Sequence, residues 1–197
     1  MSYVLTERKN LSSDYRKYIV MNKSNHSYAQ NNKIISLFNK DSWSGKRCFI
    51  IGGGESLKGF DFNLLNNELT IGINKSFSSY NPTINYSMDV TFYDRMKKGD
   101  YDNPGEKKLW EKWLDFKGKR VFLTPMNITK FGNEVYLIRR EIRASLNRKD
   151  LDAGIWGGSH SGMGAINLAI ALGSQEIYLL GYDFVIKEST HWHSGYE

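Results

Sequence analysis

Residues 159–184, SHSGMGAINLAIALGSQEIYLLGYDF, decide the fold. Positions 162–172 are almost continuously apolar, which predicts a helix buried on most sides. A Ser or His before the run can cap it, and Gly173 can stop it. The strand-like run EIYLLGYDF (176–184) follows at once across a Gly-Ser-Gln turn. Helix then strand across so short a turn is half of a βαβ unit, the device that builds parallel sheets.

Working outward, the same grammar recurs. RCFIIG (47–52), LTIGIN (69–74), INYSMD (84–89), KRVFLTP (119–125) and EVYLIRR (134–140) are short apolar or β-branched runs bounded by turn residues. That is the pattern of strands buried in a parallel sheet. PGEKKLWEKWLDF (104–116) reads as a helix, with Pro104 near its first turn and Trp110, Trp113 and Leu114 on one face. No internal repeat is present. The fold class expected from these patterns is α/β with a mainly parallel sheet.

Residues 1–45 differ: they are rich in Asn, Ser, Lys and Tyr, and read as a polar, partly helical lead-in. Within them, IISLFNKDSWSGKR predicts a helix ending near Asn39, then a turn. One domain, 46–197, is expected to follow. The whole chain has 197 residues, enough for one real core. Its net charge of +6 suits an anionic partner, or serves solubility. The single cysteine, Cys48, excludes an internal disulfide framework and sits in an apolar run, as a buried thiol would. No run approaches the ~18 apolar residues of a membrane span, and none of signal length opens the chain. A cytoplasmic protein without a transmembrane segment is expected. Nucleic acid is not expected as a partner, because no arginine-aromatic stripe is present; RREIRASLNRK (139–149) reads as a solvated helix.

In open α/β sheets, ligands sit beyond the carboxyl ends of the strands. GGGES follows the first strand, and its Gly52 and Gly54 allow close backbone approach to a ligand, or serve only a tight strand-to-helix turn. A helix starting near Ser56 would aim free amides at the same spot. The loop is not a Walker motif, since no Gly-Lys-Ser/Thr follows. Nor is it a full dinucleotide fingerprint, since Leu57 holds the third glycine position. Asn74 follows the second strand and either binds a nucleotide or closes a turn. Asp89 follows the third and Asp183 the last; either can bind a ribose hydroxyl, a metal or a substrate hydroxyl, and Asp183 can instead cap a loop. GGSHSG (157–162) places Ser159, Ser161 and Gly162 at a helix start that can hold an anion or simply be capped. His191 and His193 form a His-x-His pair. It suits a general acid or base, a metal site with Asp183 or His160 as further ligand, or a plain polar terminus. No metal site is assigned from it.

KRCFIIGGGESL, GINKSF and the 159–184 block together resemble the bacterial sialyltransferases. They are also similar to the related domain of flagellin-modifying motility accessory factors and of archaeal 6-hydroxymethylpterin diphosphokinases. Those proteins share a Rossmann-like three-layer domain, with a first turn reading Gly-Asn-Gly-Pro-Ser-Leu and a later block ending Gly-x-Asp-Phe. Here Ser161–Gly162 and positions 171–184 match the later block. The resemblance spans about 45–195, with 90–150 contributing little. It implies a CMP-linked nonulosonic acid donor, a nucleotide sugar, and a glycan acceptor. Gly52, Gly54 and Ser56 would approach the donor phosphate or ribose, and Asn74 the nucleotide. Asp89 would make a polar strand-end contact, while Ser159, Ser161 and Gly162 line the donor pocket. A histidine after the last block would be the general base, and His193 is preferred over His191 because Ser194 follows it. Gly53 and Glu55 depart from the first motif, and the Tyr pair that assists phosphate departure has no counterpart by spacing. Relatives continue past the histidines, so a minimal member or a fragment is expected.

The sialyltransferase reading requires no cofactor. A pterin-type diphosphokinase would need Mg2+, at Asp89 or Asp183. A non-catalytic accessory protein with the same fold is the third alternative. A homo-oligomer is left open.

Overall fold

The computed structural model describes residues 34, 37–39, 41–124, 131–141, 151 and 153–184. Most of the lead-in, most of 139–149, and both His191 and His193 lie outside the described residues. The strands are β1 (Arg47–Ile51), β2 (Leu69–Ile73), β3 (Ile84–Ser87), β4 (Lys119–Thr124), β5 (Val135–Glu141), β6 (Ile155–Trp156) and β7 (Glu176–Leu180). They form one seven-stranded sheet in the order β6-β5-β4-β3-β2-β1-β7. All six pairings are parallel. The helices are α1 (Val90–Lys98), α2 (Leu109–Asp115) and α3 (Ser161–Ala171).

Strand alternation sorts side chains into three layers. Cys48, Ile50, Ile71, Ile84, Tyr86, Val121 and Leu123 point to one face and pack under Ala165, Leu168 and Ala169 of α3. Phe122, Val135 and Leu137 point to the other face, against Phe92, Tyr93 and Met96 of α1 and Trp113 of α2. Ile51 on that second face packs with Leu57 and Leu65 of two short 3-10 turns, Glu55–Leu57 and Phe62–Leu65. The fold is therefore an α/β, Rossmann-like three-layer fold with a parallel sheet. Burial pushes the Cys48 thiol up to about 12, so it is an inert core group. Among the described residues, no helix is long and apolar enough to cross a membrane.

Several elements differ from the sequence expectation. The helix expected over 104–116 begins only at Leu109, because Gly105 takes φ +82° and 104–108 turn. Asp102 Oδ1 accepts from the Leu109 amide at 2.9 Å, replacing the missing local cap. Leu109 and Trp113, four apart, make the buried stripe, while Leu114 is 55% exposed. Its carboxyl end is capped from outside. Buried Arg120 donates through Nε to the Trp113 carbonyl at 3.1 Å and through Nη2 to those of Leu114 and Phe116 at 3.2 and 2.7 Å. Helix α1 was not expected. Asp89 caps it, and Gly99 at φ +82° ends it. The last strand stops at Leu180, since Gly181 turns away at φ +68°. Turn 41–45 clamps the α3–β7 connection, with the Trp43 amide on the Leu172 carbonyl at 2.8 Å.

Candidate functional site

Strands β2 to β6 follow β1 outward on one side, and β7 returns on the other. The switch point thus falls between β1 and β7, where an open α/β sheet forms its crevice. The glycine loop leaves β1 at that point. The amides of Gly52 and Gly54 donate to the carbonyls of Leu180 and Gly181, each at 2.8 Å. The Ser56 amide donates to Asp183 Oδ2 at 2.7 Å, and its hydroxyl donates to Asp183 Oδ1. Alternate amides of the loop therefore close onto the chain at the end of β7 and just beyond it. A Cβ at Gly52 would lie 2.5 Å from the Gly181 carbonyl oxygen, and one at Gly54 2.5 Å from Asp183 Oδ2. These glycines are required by the closure of the loop onto β7. The helix expected near Ser56 is only the 3-10 turn Glu55–Leu57, so no helix dipole points here.

The amides at the start of α3 have no acceptor within their helix. His160 caps it, with Nδ1 accepting from the Met163 amide at 3.3 Å. The amides of Ser161 and Gly162 occupy the first two helical positions, where no helical acceptor exists. Opposite them stands Asn74, held at φ +51° directly after β2. Its Oδ1 accepts from the Ser161 hydroxyl at 3.4 Å, and its carbonyl accepts from Asn85 Nδ2 at 3.0 Å. Asn85 Oδ1 in turn accepts from the Ser76 hydroxyl at 3.3 Å. Ser76 and Asn85 are fully buried, so this polar chain fixes Asn74 from beneath.

Tyr182 ties the two halves together. Its ring stands 3.1 Å from a Cβ built at Gly52 and 3.0 Å from one built at Gly162. Its hydroxyl donates to the Gly162 carbonyl at 3.2 Å. Burial pushes that phenol well above the usual tyrosine range, so it stays a neutral donor. Below the first turn of α3, the Tyr86 hydroxyl is buried against Gly164, with no hydrogen-bond partner among the described residues. Arg140 anchors the preceding loop, donating to the Gly158 carbonyl at 3.0 Å.

The structure thus brings Gly52, Gly54, Ser56 and Asp183 into one cluster. Asn74, Ser161 and Gly162 form a second, joined to the first by Tyr182. Asp89 stands apart as the cap of α1, accepting from the Thr91 amide at 2.8 Å. Ser159 is exposed beside the cap of α3. Tyr182, Arg140 and Tyr86 escaped sequence reasoning. Tyr182 alone carried a signal, lying inside the block GYDF between two residues already singled out. Among the described residues, no group of three or more His, Cys, Asp or Glu could hold a metal ion. Compared with known proteins, the chain matches no family model, no curated protein and no solved structure.

Proposed function

We propose that this protein is a transferase using a nucleotide-activated donor, of the CMP-sialic-acid-dependent glycosyltransferase type. One observation carries the reading: the Asn74–Ser161 hydrogen bond sets a strand-end carboxamide beside the first amides of α3, next to the β1/β7 switch point. A helix N-terminus favours the donor phosphate through its amides and dipole, and Asn74 offers paired donor and acceptor atoms to a nucleoside. The closed glycine loop acts as a wall of the pocket, and its bonded amides do not contact phosphate.

In the proposed reaction an acceptor hydroxyl attacks the anomeric carbon of the donor sugar. Its proton passes to His193, and the bond from that carbon to the phosphate oxygen breaks to release CMP. Negative charge developing on the leaving phosphate is stabilised at the start of α3. The diphosphokinase alternative has less support. Asp89 is occupied in capping α1 and Asp183 in holding Ser56, which leaves neither poised for Mg2+. CMP release from a CMP-nonulosonic acid, with a glycan acceptor present, tests the reading. Turnover by the wild type and its loss in His193→Ala are expected. Equal turnover by the two proteins removes the histidine mechanism, and no CMP release with any acceptor overturns the reading.

A further inference from the structure

A cavity of about 770 Å3 opens at the opposite edge of the sheet, at the amino ends of β2, β3 and β4. One five-residue strand, roughly 16 Å, separates that edge from the candidate site. The volume falls in the range of small-ligand sites, roughly 300–1,000 Å3.

Carboxamides dominate its polar lining. Asn63, Asn66, Asn67 and Asn81 all border it. Each carries an NH2 donor and a carbonyl acceptor. Asn63 Nδ2 donates to Asp61 at 2.9 Å and Asn81 Oδ1 accepts from the Lys117 amide at 3.4 Å, which orients both carboxamides. Asn66 and Asn67 are exposed. The aromatic wall is Phe62 stacked on Tyr80, with centroids 4.8 Å apart. The floor is rigid, because Thr70 and Thr83 each accept the other's amide on their hydroxyls, at 2.8 and 3.1 Å. The lining carboxylate, Glu68, is neutralised by Arg47, which donates through Nε at 3.0 Å.

These groups select a ligand class. A metal ion would need several unpaired carboxylates. A phosphate would meet only the point charges of Lys117 and Lys119 among the lining residues, with no guanidinium fork. Neighbouring hydroxyls, each a donor and an acceptor, match paired carboxamides, and the apolar face of a sugar ring matches an aromatic plane. We propose that this groove is a saccharide-binding site, separate from the donor pocket, that holds a sugar chain through Asn66, Asn67 and Asn81 against Tyr80. The sugar chain can be neutral, or it can carry a carboxylate recognised by Lys117 and Lys119 at the rim.

The groove is tested on the 15N-labelled full chain by titration with cellotriose, N,N′,N″-triacetylchitotriose and 3′-sialyllactose. At least one sugar is expected to shift the side-chain amide resonances of Asn66, Asn67 and Asn81. A shift with 3′-sialyllactose alone identifies the acidic class. Asn67→Gly, which keeps the backbone free to hold φ +69°, and Asn66→Ala are exposed changes that leave the core untouched. Each is expected to weaken binding about tenfold. Tyr80→Ala is expected to abolish it, with an unchanged NMR fingerprint elsewhere as the control for folding. No shift at these amides with any of the three sugars overturns the proposal. So does binding that all three variants leave intact. The outcome is independent of CMP release, so this site and the transferase reading fail separately.

Discussion

The carboxylate of Asp183 accepts from the amide of Ser56 at 2.7 Å, joining the loop after the first strand to the loop after the last. The family resemblance puts Ser56 at the donor, and Asp183 reads either as a ligand contact or as the cap of a loop. In the fold they bind each other, and that bond explains the glycines between them. Gly54→Ala places a methyl 2.5 Å from Asp183 Oδ2 and 2.6 Å from the Gly181 carbonyl. It should cost about 2 kcal/mol. Asp183→Ala should cost about 1–2 kcal/mol by stripping Ser56 of its acceptor. The double variant keeps the clash with Gly181, so urea unfolding should find it less stable than Asp183→Ala alone. Equal stability of those two would contradict the closure.

A second prediction concerns Tyr86 and Gly164. A methyl at Gly164 would lie 2.1 Å from the Tyr86 hydroxyl oxygen. Gly164→Ala should therefore destabilise by about 2 kcal/mol, although alanine is the better helix former. Tyr86→Phe removes a buried hydroxyl that has no partner among the described residues, and should be neutral or stabilising. In the Phe background Gly164→Ala should cost clearly less. Additive costs would mean that the two groups do not meet.

Lys75 gives a pH signature. It is buried after Asn74, with its ammonium 5.0 Å from the Tyr101 ring centroid. Burial lowers its pKa to about 8, with Lys112 adding to the effect while Glu106 and Asp102 oppose it. Between about pH 8 and the ordinary lysine value near 10.5, the unfolded chain holds a proton that the folded chain has released. Stability from this group therefore rises with pH across that window. Wild-type stability measured relative to Lys75→Met should climb from pH 8 to 10.5. A flat difference would contradict the burial.

Much of the sheet was legible because parallel strands buried on both faces are short apolar runs, and six of the seven begin within one residue of the expected place. Helix α1 was not, because Phe92, Tyr93 and Met96 are interleaved with charges and form no run. Its signals are Asp89 and Gly99, and Asp89, whose strand-end position suggests a ligand contact, caps the helix. Strand β6 has only two residues, too few for any periodicity, and is placed between Gly154 and Gly158, both with positive φ. In the site, each strand-end residue could be named from its position. Which ones meet could not, since Asn74 and Ser161 are 87 residues apart and touch only through the packing of α3 on the sheet.

The most direct test is the affinity for CMP, measured by calorimetry on the wild type, Asn74→Ala and Ser161→Ala. The proposed site predicts measurable CMP binding by the wild type, weakened about tenfold or more in each variant. No CMP binding by the wild type, or equal affinity in all three proteins, would contradict a nucleotide site at the start of α3.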